Sequence, residues 1–456
     1  MIRLKISKKY LFLGLATCQL VDVSAQQSKR ALSLNQCIEI AESKSTAALK
    51  SNIEIQYAGA GLLAAYGQFL PNLTLGAGAN YDHGNNYFSS VGTTLANMDR
   101  LQYNYQLVSS INIFSGYANK AGLQAAQLNK KMAEFNLERA KQQIAFDVSQ
   151  SFLQITLDKK IVETDSVNLG ISLKREDQLK TLVEIGRKAK TDLYQQQAQT
   201  GIDRLNLIRA VNKLENDKII LLQKLRIDSF NVYDFEIAGA DSNAEAAVYG
   251  NVDQLISAAH KNRPDLKASE ANIDYFKSVE KGAESFTKPS VLGFAGIYNA
   301  GGTFNALKIN GIDANINGQE NIGTQLYKYT YGLAGINANW TLFNRYATKA
   351  NIQKAKLNIE LSEIDNKDSR IKLMADIKTA YNDYKNAVLQ LETVDQSLFA
   401  AQQAYEAVSE RYKQGVSDFI TLVNSQSVLL LAQQNKINAT LNLMLQKKVL
   451  NYLIGR

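Results

Sequence analysis

Two stretches of the chain are strongly similar: residues 112–129 read NIFSGYANKAGLQAAQLN and residues 341–358 read TLFNRYATKANIQKAKLN. Nine of the 18 aligned positions are identical, and the alignment needs no gap. Gly186 and Gly415 are separated by the same offset as these two stretches, whereas Pro71 and Pro289 lie closer together. Two unrelated amphipathic helices would not keep an aromatic residue, a glycine and a proline in the same order. The sequence therefore predicts an internal duplication.

Each repeat is predicted to contain a leading helix, two strands and a long helix pair. The first repeat spans 26–248, with strands at about 72–82 and 101–114, helices at about 116–226 and a linker at about 227–248. The second spans 249–456, with strands at about 290–298 and 327–343 and helices at about 344–452.

The segments between the paired strands, 82–100 and 299–328, are rich in Gly and Asn and predict loops. The second of them holds the insertion that makes the offset of the helices larger than the offset of the prolines. In the last predicted strand the alternation of apolar residues slips by one position near Ala334 and Gly335, which predicts a β-bulge.

The composition excludes most enzyme classes. The chain has 456 residues but only two His and two Cys, too few for a metal site, a Cys–His nucleophile or a disulfide framework. It contains no Gly-Lys of a phosphate-binding loop, so neither a catalytic residue nor a cofactor is predicted. The net charge of +8 is spread too thinly to indicate nucleic-acid binding. Cys37 is expected to be a small buried helix residue.

The amino-terminal residues, 1–25, have the pattern of a secretory signal. A cationic segment precedes about a dozen apolar residues and the small-x-small exit Val23-Ser24-Ala25, which predicts cleavage after Ala25. Lipid attachment at Cys18 is the alternative. No later apolar run is long enough for a membrane-spanning helix.

The strands pose a physical problem, because each has one apolar face and one polar or small face. Two strands per repeat give four per chain, and about eight are needed to close a barrel. An open sheet in hydrocarbon would leave the backbone groups of its edges unpaired at high cost. The chain is therefore predicted to pool its strands with further copies of itself.

Several motifs, taken in order, resemble the TolC-like outer-membrane efflux protein family over nearly all of the mature length. These motifs are FLPNLTLGAG (69–78), INIFSGYANKAGLQAA (111–126), WTLFNRYATKANIQKA (340–355) and RYKQGVSDFITLVNSQ (411–426). The resemblance implies a mixed α and β membrane protein. Three chains would form a homotrimer whose twelve-stranded β-barrel continues into a long α-helical coiled-coil tunnel.

The resemblance also implies a location, partners and site residues. The barrel would lie in the outer-membrane lipid of a Gram-negative bacterium, and the tunnel would cross the periplasm to a membrane-fusion adaptor. Gly186 and Gly415 would form the periplasmic tip turns that the adaptor contacts, and Asp192, Asp418 and Asn424 would be polar residues of the tip or aperture. The tip turn of the first repeat is expected to differ, because its acid lies three positions farther from the glycine.

Aromatic side chains near the strand ends are expected to form the girdles at the two membrane surfaces. They are Tyr81, Tyr103, Tyr105, Phe114, Tyr327, Tyr329, Trp340 and Phe343.

The predicted function is a passive export channel that serves an inner-membrane transporter of the RND or ABC type. Two alternatives remain open at this point: the outer-membrane duct of a type I protein secretion system, and a structural periplasmic coiled-coil protein that conducts nothing.

Overall fold

The computed structural model describes residues 30–88, 94–228, 233–236 and 251–456. The predicted leader, 1–25, and the alternative lipid site at Cys18 lie outside these residues, as does most of the predicted linker.

The described residues form helices and strands in a similar order in both repeats. The first repeat contains β1 (Arg30–Leu32), α1 (Leu34–Lys44), α2 (Thr46–Gly67), β2 (Asn72–Phe88), β3 (Thr94–Ser115), α3 (Ala118–Glu184), α4 (Lys190–Lys224) and β4 (Tyr233–Phe235). The second contains α5 (Val252–Asn262), α6 (Pro264–Glu284), β5 (Ser290–Ile309), β6 (Ile312–Asp313), α7 (Ile322–Lys328), β7 (Thr330–Asn339), α8 (Ala347–Lys413) and α9 (Phe419–Leu453). The short strands β1 and β4 pair in parallel.

The two long helix pairs confirm the duplication. Helices α3 and α8 begin at 118 and 347 and end at 184 and 413, so both ends keep the offset of the repeated motif. Helices α4 and α9 begin at 190 and 419 and end at 224 and 453, with the same offset. A left-handed residue, Tyr117 or Tyr346, precedes each long helix. The repeats therefore share their backbone plan from the end of the sheet to the carboxyl end of each hairpin.

The leading helix of each repeat is broken, at Ser45 in the first repeat and at Arg263 in the second. Ser33 begins α1 with a capping box, in which the side chains of Ser33 and Gln36 each accept a hydrogen bond from the other's backbone N–H. The helix then stops at Ser45, whose side chain accepts a hydrogen bond from the N–H of Ala48 and starts α2. The equivalent break in the second repeat falls at Arg263, where Pro264 occupies the first position of α6.

Strands β2, β3, β5 and β7 form one antiparallel sheet in that order, and the two-residue β6 pairs with the far end of β5. Strand β2 pairs with β3 along its whole length, β3 pairs with β5, and β5 pairs with β7 over residues 290–299. Strands β2 and β7 are therefore the edges of the sheet among the described elements. The four predicted strands are present, but each of them needs a corrected boundary.

The predicted loop at 82–100 is wrong over most of its length. Strand β2 continues to Phe88 and β3 starts at Thr94, because antiparallel pairing satisfies the backbone even where the residues are Gly, Asn and His. Side chains join these strands too: Asn97 Nδ2 donates to Asn85 Oδ1 at 2.7 Å, and His83 pairs with Asp99. In the second repeat β5 continues to Ile309, well past the predicted end at 298.

The predicted bulge near Ala334 and Gly335 is also wrong. The pairing of β5 with β7 runs without a shift from Ser290 opposite Asn339 to Asn299 opposite Thr330. The slip in the apolar pattern instead places apolar residues of β7 on both faces of the sheet. Register shifts occur between β3 and β5, beside Asp99 and near Phe114.

Each pair of long helices forms a helical hairpin, and one section of its length packs against the short helices at the start of the same repeat. In the first repeat this core includes Cys37 of α1, Phe152 of α3, Leu221 of α4 and Phe235 of β4. In the second it includes Leu255 of α5, Ile377 of α8 and Leu450 of α9. Burial raises the pKa of the Cys37 thiol to about 12, and this residue is the buried helix cysteine that the sequence predicted.

Candidate functional site at the hairpin tips and on the sheet

The two hairpin turns have the same backbone geometry. Gly186 and Gly415 adopt φ values of 71° and 73°, in the left-handed region that favours glycine. The N–H of Arg187 donates to the carbonyl of Leu182 at 2.8 Å, and that of Val416 donates to the carbonyl of Arg411 at 2.9 Å. This is the Schellman arrangement, which satisfies the last carbonyls of α3 and α8. Both glycines therefore occupy the turn positions that the sequence predicted.

The first tip turn does not differ in length from the second, contrary to expectation. In both repeats the next helix begins four positions after the glycine, at Lys190 or Phe419. The residue that caps α4 is consequently Ala189, the equivalent of Asp418, whereas Asp192 lies inside the first turn of the helix. Asp192 and Asp418 are therefore not equivalent positions. The backbone fixes which residue is the cap, and an exposed helix end tolerates Ala at that position.

Asp418 is a helix cap with two bonds to one residue. Its carboxylate accepts the backbone N–H of Thr421 at 2.7 Å and the hydroxyl of Thr421 at 3.0 Å. These bonds to Thr421 hold the pKa of Asp418 below its ordinary value. Asn424 lies exposed in the second turn of the same helix, and Asp192 lies on α4. The predicted polar residues thus lie on two different helices: Asp192 is on α4, whereas Asp418 and Asn424 are at the start of α9.

Residues that the sequence did not single out connect the two tips. The Lys188 ammonium lies over the ring of Tyr412, 4.4 Å from its centroid, and the rings of Tyr412 and Phe419 are 6.0 Å apart. Farther from the tip, the guanidinium of Arg175 donates to the hydroxyl of Tyr405 at 3.0 Å and to the side chain of Gln426. Tyr412 and Gln426 belong to the motif at 411–426, but Lys188 and Arg175 carried no sequence signal.

The tips also expose apolar side chains to solvent. Ile185 and Val416 flank the two glycines, and each is more than half exposed, as are Tyr194 on α4 and Ile420 on α9. Such a concentration of exposed apolar residues at one end of a molecule is typical of a surface that contacts a partner.

Exchanging the caps of the two tips should change the local stability of each. Ala189→Asp should supply the missing acceptor and slow amide exchange in the first turn of α4 about fivefold, the factor for a cap worth ~1 kcal/mol. Asp418→Ala should accelerate exchange in the first turn of α9. Because the pKa of Asp418 is depressed, its contribution is complete above the ordinary carboxyl pKa and is lost as pH falls through the depressed value. Equal exchange in parent and variants, measured by mass spectrometry, would contradict the assigned caps.

Strands β2 and β3 give the sheet two chemically distinct faces, whereas β5 and β7 carry apolar residues on both, with Leu292, Phe294 and Leu333 on the side of the polar residues. Alternation and register place one apolar set together: Leu73, Leu75, Leu107, Ile111, Ile297 and Ile336. The opposite face carries a polar set: Asn80, Gln102, Asn104, Gln106, Asn112 and Asn337. Because the β5–β7 register has no bulge, Tyr298 and Tyr331 lie on the polar face, where their rings stack 5.8 Å apart.

The aromatic residues predicted for the girdles fall into two groups along the sheet. Tyr81, Tyr103 and Tyr105 lie near the middle of the first two strands. Phe114 lies near the helix end of β3, and Trp340 and Phe343 follow β7 at that same end. The indole N–H of Trp340 donates to the carbonyl of Thr287 at 3.1 Å.

Tyr327 and Tyr329 are not strand residues, which corrects the predicted strand at 327–343. Tyr327 lies in α7 and is 88% exposed, and Tyr329 ends that helix. The helix forms because Asn321 caps it, and it is held on the sheet by Gln325, whose side chain accepts from the Tyr103 hydroxyl at 2.7 Å. It belongs to the segment that contains the insertion of the second repeat, where a loop prediction missed it.

The described part of the chain contains neither a metal-binding cluster nor a helix that could span a membrane. Among those residues no group of three or more His, Cys, Asp and Glu could hold a metal ion. None of the helices in the described ranges has the length and apolar character needed to span a membrane.

Comparison with known proteins finds a family match in the second repeat. Residues 255–456 match the model of the outer membrane efflux protein family. The match covers 202 of the 456 residues and shows that the second repeat is similar to that family. No curated protein sequence matches the chain. The resemblance to the efflux protein family that the motifs predicted is confirmed.

Solved channels share the fold over nearly the whole chain. The outer membrane protein VceC from Vibrio cholerae matches with a TM-score of 0.75 and 14% identity, over 92% of this chain and 96% of that one. The CmeC outer membrane channel of Campylobacter jejuni has a TM-score of 0.71 and 14% identity, over 92% and 85%. The open-state MtrE outer membrane channel of Neisseria gonorrhoeae has a TM-score of 0.72 and 15% identity, over 92% and 88%. At these identities the likeness establishes the fold, so the part that matches the efflux protein family and the rest of the chain are parts of one channel-like architecture.

Proposed function

We propose that the chain is a passive outer-membrane export channel of a tripartite efflux system, working as a homotrimer. The observation that carries the proposal is the sheet: four strands with an apolar face, an opposite face that is polar along β2 and β3, and two open edges at β2 and β7. Open edges in lipid would cost several kcal/mol for each unpaired backbone group. Three copies joined edge to edge give twelve strands, which suffices to close a cylinder around a polar lumen.

The dimensions of the sheet support a position in the membrane. Tyr105 and Phe114 lie nine positions apart on β3 and mark the two aromatic groups. Nine residues of strand span ~30 Å, and a tilt of about 40° reduces this to a height close to the ~25 Å apolar band of outer-membrane barrels. The aromatic residues are thus spaced as girdles at the two membrane surfaces would be.

The helices support a tunnel built from several chains. At ~1.5 Å per residue, α3 and α8 with 67 residues each are ~100 Å long. Helix α4 exposes Ile202, Leu205 and Ile208, and α8 exposes Leu357, Leu361 and Ile364. These apolar stripes lie on two of the four long helices of the chain, where helices of neighbouring chains would cover them.

The exposed apolar tips suit the periplasmic adaptor, which would connect the channel to an inner-membrane pump of the RND or ABC type. The chain would lie in the outer membrane of a Gram-negative bacterium and extend into the periplasm. Asp192 and Asp418 are proposed to favour cations near the aperture, although Asn424 stands where many relatives carry Asp. The energy for export would come from the pump, since no catalytic residue is assigned to this chain.

Planar-bilayer recording with the purified protein tests this function. The channel should carry an ohmic current without nucleotide and without any partner protein. A product that stays soluble and carries no current would favour the structural coiled-coil alternative. Isolation of the cross-linked inner-membrane partner then separates drug efflux from type I secretion, because an ABC transporter with a secreted protein would indicate the latter.

A further inference from the structure

One section of the interior of the first hairpin is polar, whereas the equivalent section of the second hairpin is apolar. Along α3 the buried core positions at heptad spacing are Asp158, Asp165 and Ser172. The equivalent positions of α8, at the offset of the two repeats, are Ala387, Val394 and Ala401. Since the backbones of the two hairpins match, the difference lies in the side chains alone.

Helix α4 contributes polar groups to the same seam, which we call the acidic seam and define as the contacts among Asp158, Asp165, Ser172, Gln196, Asp203 and Asp217. Gln196 and Asp203 are buried, and the hydroxyl of Ser172 donates to Asp203. The amide of Gln196 donates to the carbonyl of Ser172 at 3.3 Å. Their equivalents on α9 are Ser425 and Ala432, so the second hairpin has no such network at these positions.

The acidic seam holds more acceptors than donors. Asp158 is 1% exposed, and its Oδ1 accepts from Lys213 at 2.5 Å and from Gln154 at 3.0 Å. Its Oδ2, like the buried Oε1 of Gln196, meets no donor within the described residues. A buried acceptor without a donor costs about 1–3 kcal/mol. A proton on a neighbouring carboxyl group removes that cost, and the Asp217 carboxyl lies within hydrogen-bonding reach of Asp158.

The surroundings of the seam favour protonated carboxyl groups. Burial raises the pKa of Asp165, and the Asp203 charge adds to the effect, while a hydrogen bond from Gln434 of α9 opposes it. Burial likewise raises the pKa of Asp217. The hydrogen bond with Asp158 and the charge of Asp158 raise it further, and Lys213 lowers it. The nearby Lys159 and Lys218 are engaged by Asp234 of β4, at 3.1 and 3.5 Å.

We propose that the acidic seam is a proton-binding site that tightens the α3–α4 hairpin when protonated and loosens it when ionised, while the α8–α9 hairpin does not respond. A carboxyl group that binds its proton more tightly in the folded hairpin adds stability at low pH. That stability is lost as pH rises from the ordinary carboxyl pKa through the raised value. Acidification would therefore stiffen one of the two hairpins that end at the tips.

Hydrogen exchange of the full chain in detergent at about pH 5 and about pH 8 tests the seam, with rates corrected for intrinsic chemistry. Between these two pH values the opening equilibrium of α3 near Asp158 should rise, and it should rise more than that of α8 near Ala387. Asp217→Asn should remove this difference and slow exchange at pH 8, because the amide donates to Asp158 at every pH. Asp165→Asn should act in the same direction.

Asp177→Asn, an exposed carboxylate on the same helix, serves as the matched control and should keep the parent's pH response. An equal pH response of the two hairpins in the parent protein would overturn the proposal. So would an unchanged response in both seam variants, or their failure to fold, because an amide replaces a protonated carboxyl without loss of volume. The measurement needs no current, so its outcome is independent of whether the chain conducts.

Discussion

Gln106→Cys is expected to make the channel's current sensitive to a charged, membrane-impermeant thiol reagent, whereas Leu107→Cys leaves it unchanged. The two residues are neighbours on β3 and point to opposite faces of the sheet. Gln106 lies on the polar face, which would line the lumen, and Leu107 on the apolar face, which would contact lipid. The reagent should lower the current of Gln106→Cys in three steps, one for each chain of the proposed trimer. Planar-bilayer recording during addition of the reagent measures this.

The native cysteines do not interfere with this test, because cleavage after Ala25 would remove Cys18 and Cys37 is shielded. Cys37 is fully buried, and the raised pKa of its thiol leaves almost no reactive thiolate at neutral pH. The parent protein therefore gives the baseline. A reagent effect on Leu107→Cys that equals the effect on Gln106→Cys would mean that the assigned faces, and with them the lumen, are wrong.

Leu205→Glu is expected to abolish assembly. Leu205 lies in the exposed apolar stripe of α4, which the proposed trimer would bury against a neighbouring chain. Losing this burial costs about 2 kcal/mol at each interface, and the desolvated carboxylate adds to that cost. Because about 1.4 kcal/mol corresponds to a factor of ten in an equilibrium constant, the trimer in outer-membrane extracts should fall more than tenfold. Native gel electrophoresis of those extracts measures it.

The adjacent Arg204→Glu is the matched control for Leu205→Glu. It introduces the same side chain at the preceding position, which is exposed and already charged. Assembly should persist in this variant. If the two variants assembled equally well, the α4 stripe would not be an interface.

The features that sequence predicted well are those that repeat. The constant offset between the two copies predicted both long hairpins and their turns, because the same local rules for helix ends apply to Gly186 and Gly415. The regular alternation in the first repeat predicted the two faces of β2 and β3 for a similar reason. In each case the pattern is local in sequence, and only the structure shows which helices and strands pack together.

The features that sequence missed depend on distant pairing. Gly- and Asn-rich residues at 82–100 form strand because the two arms of a long hairpin bond to each other, and composition does not reveal this. The apparent bulge near Gly335 arose from apolar residues on both faces of β7, which only the register with β5 resolves. The sequence did not predict the acidic seam, because Asp158 and Asp165 have the character of surface residues and are buried only by packing against other helices.

Electron cryo-microscopy of the protein extracted from outer membranes tests the central claim most directly. The account predicts three chains in which β7 of one chain pairs with β2 of the next, so that twelve strands enclose a polar lumen continuous with the helical tunnel. A monomer whose β2 and β7 edges remain free, or whose sheet packs its apolar face against its own long helices, would contradict it.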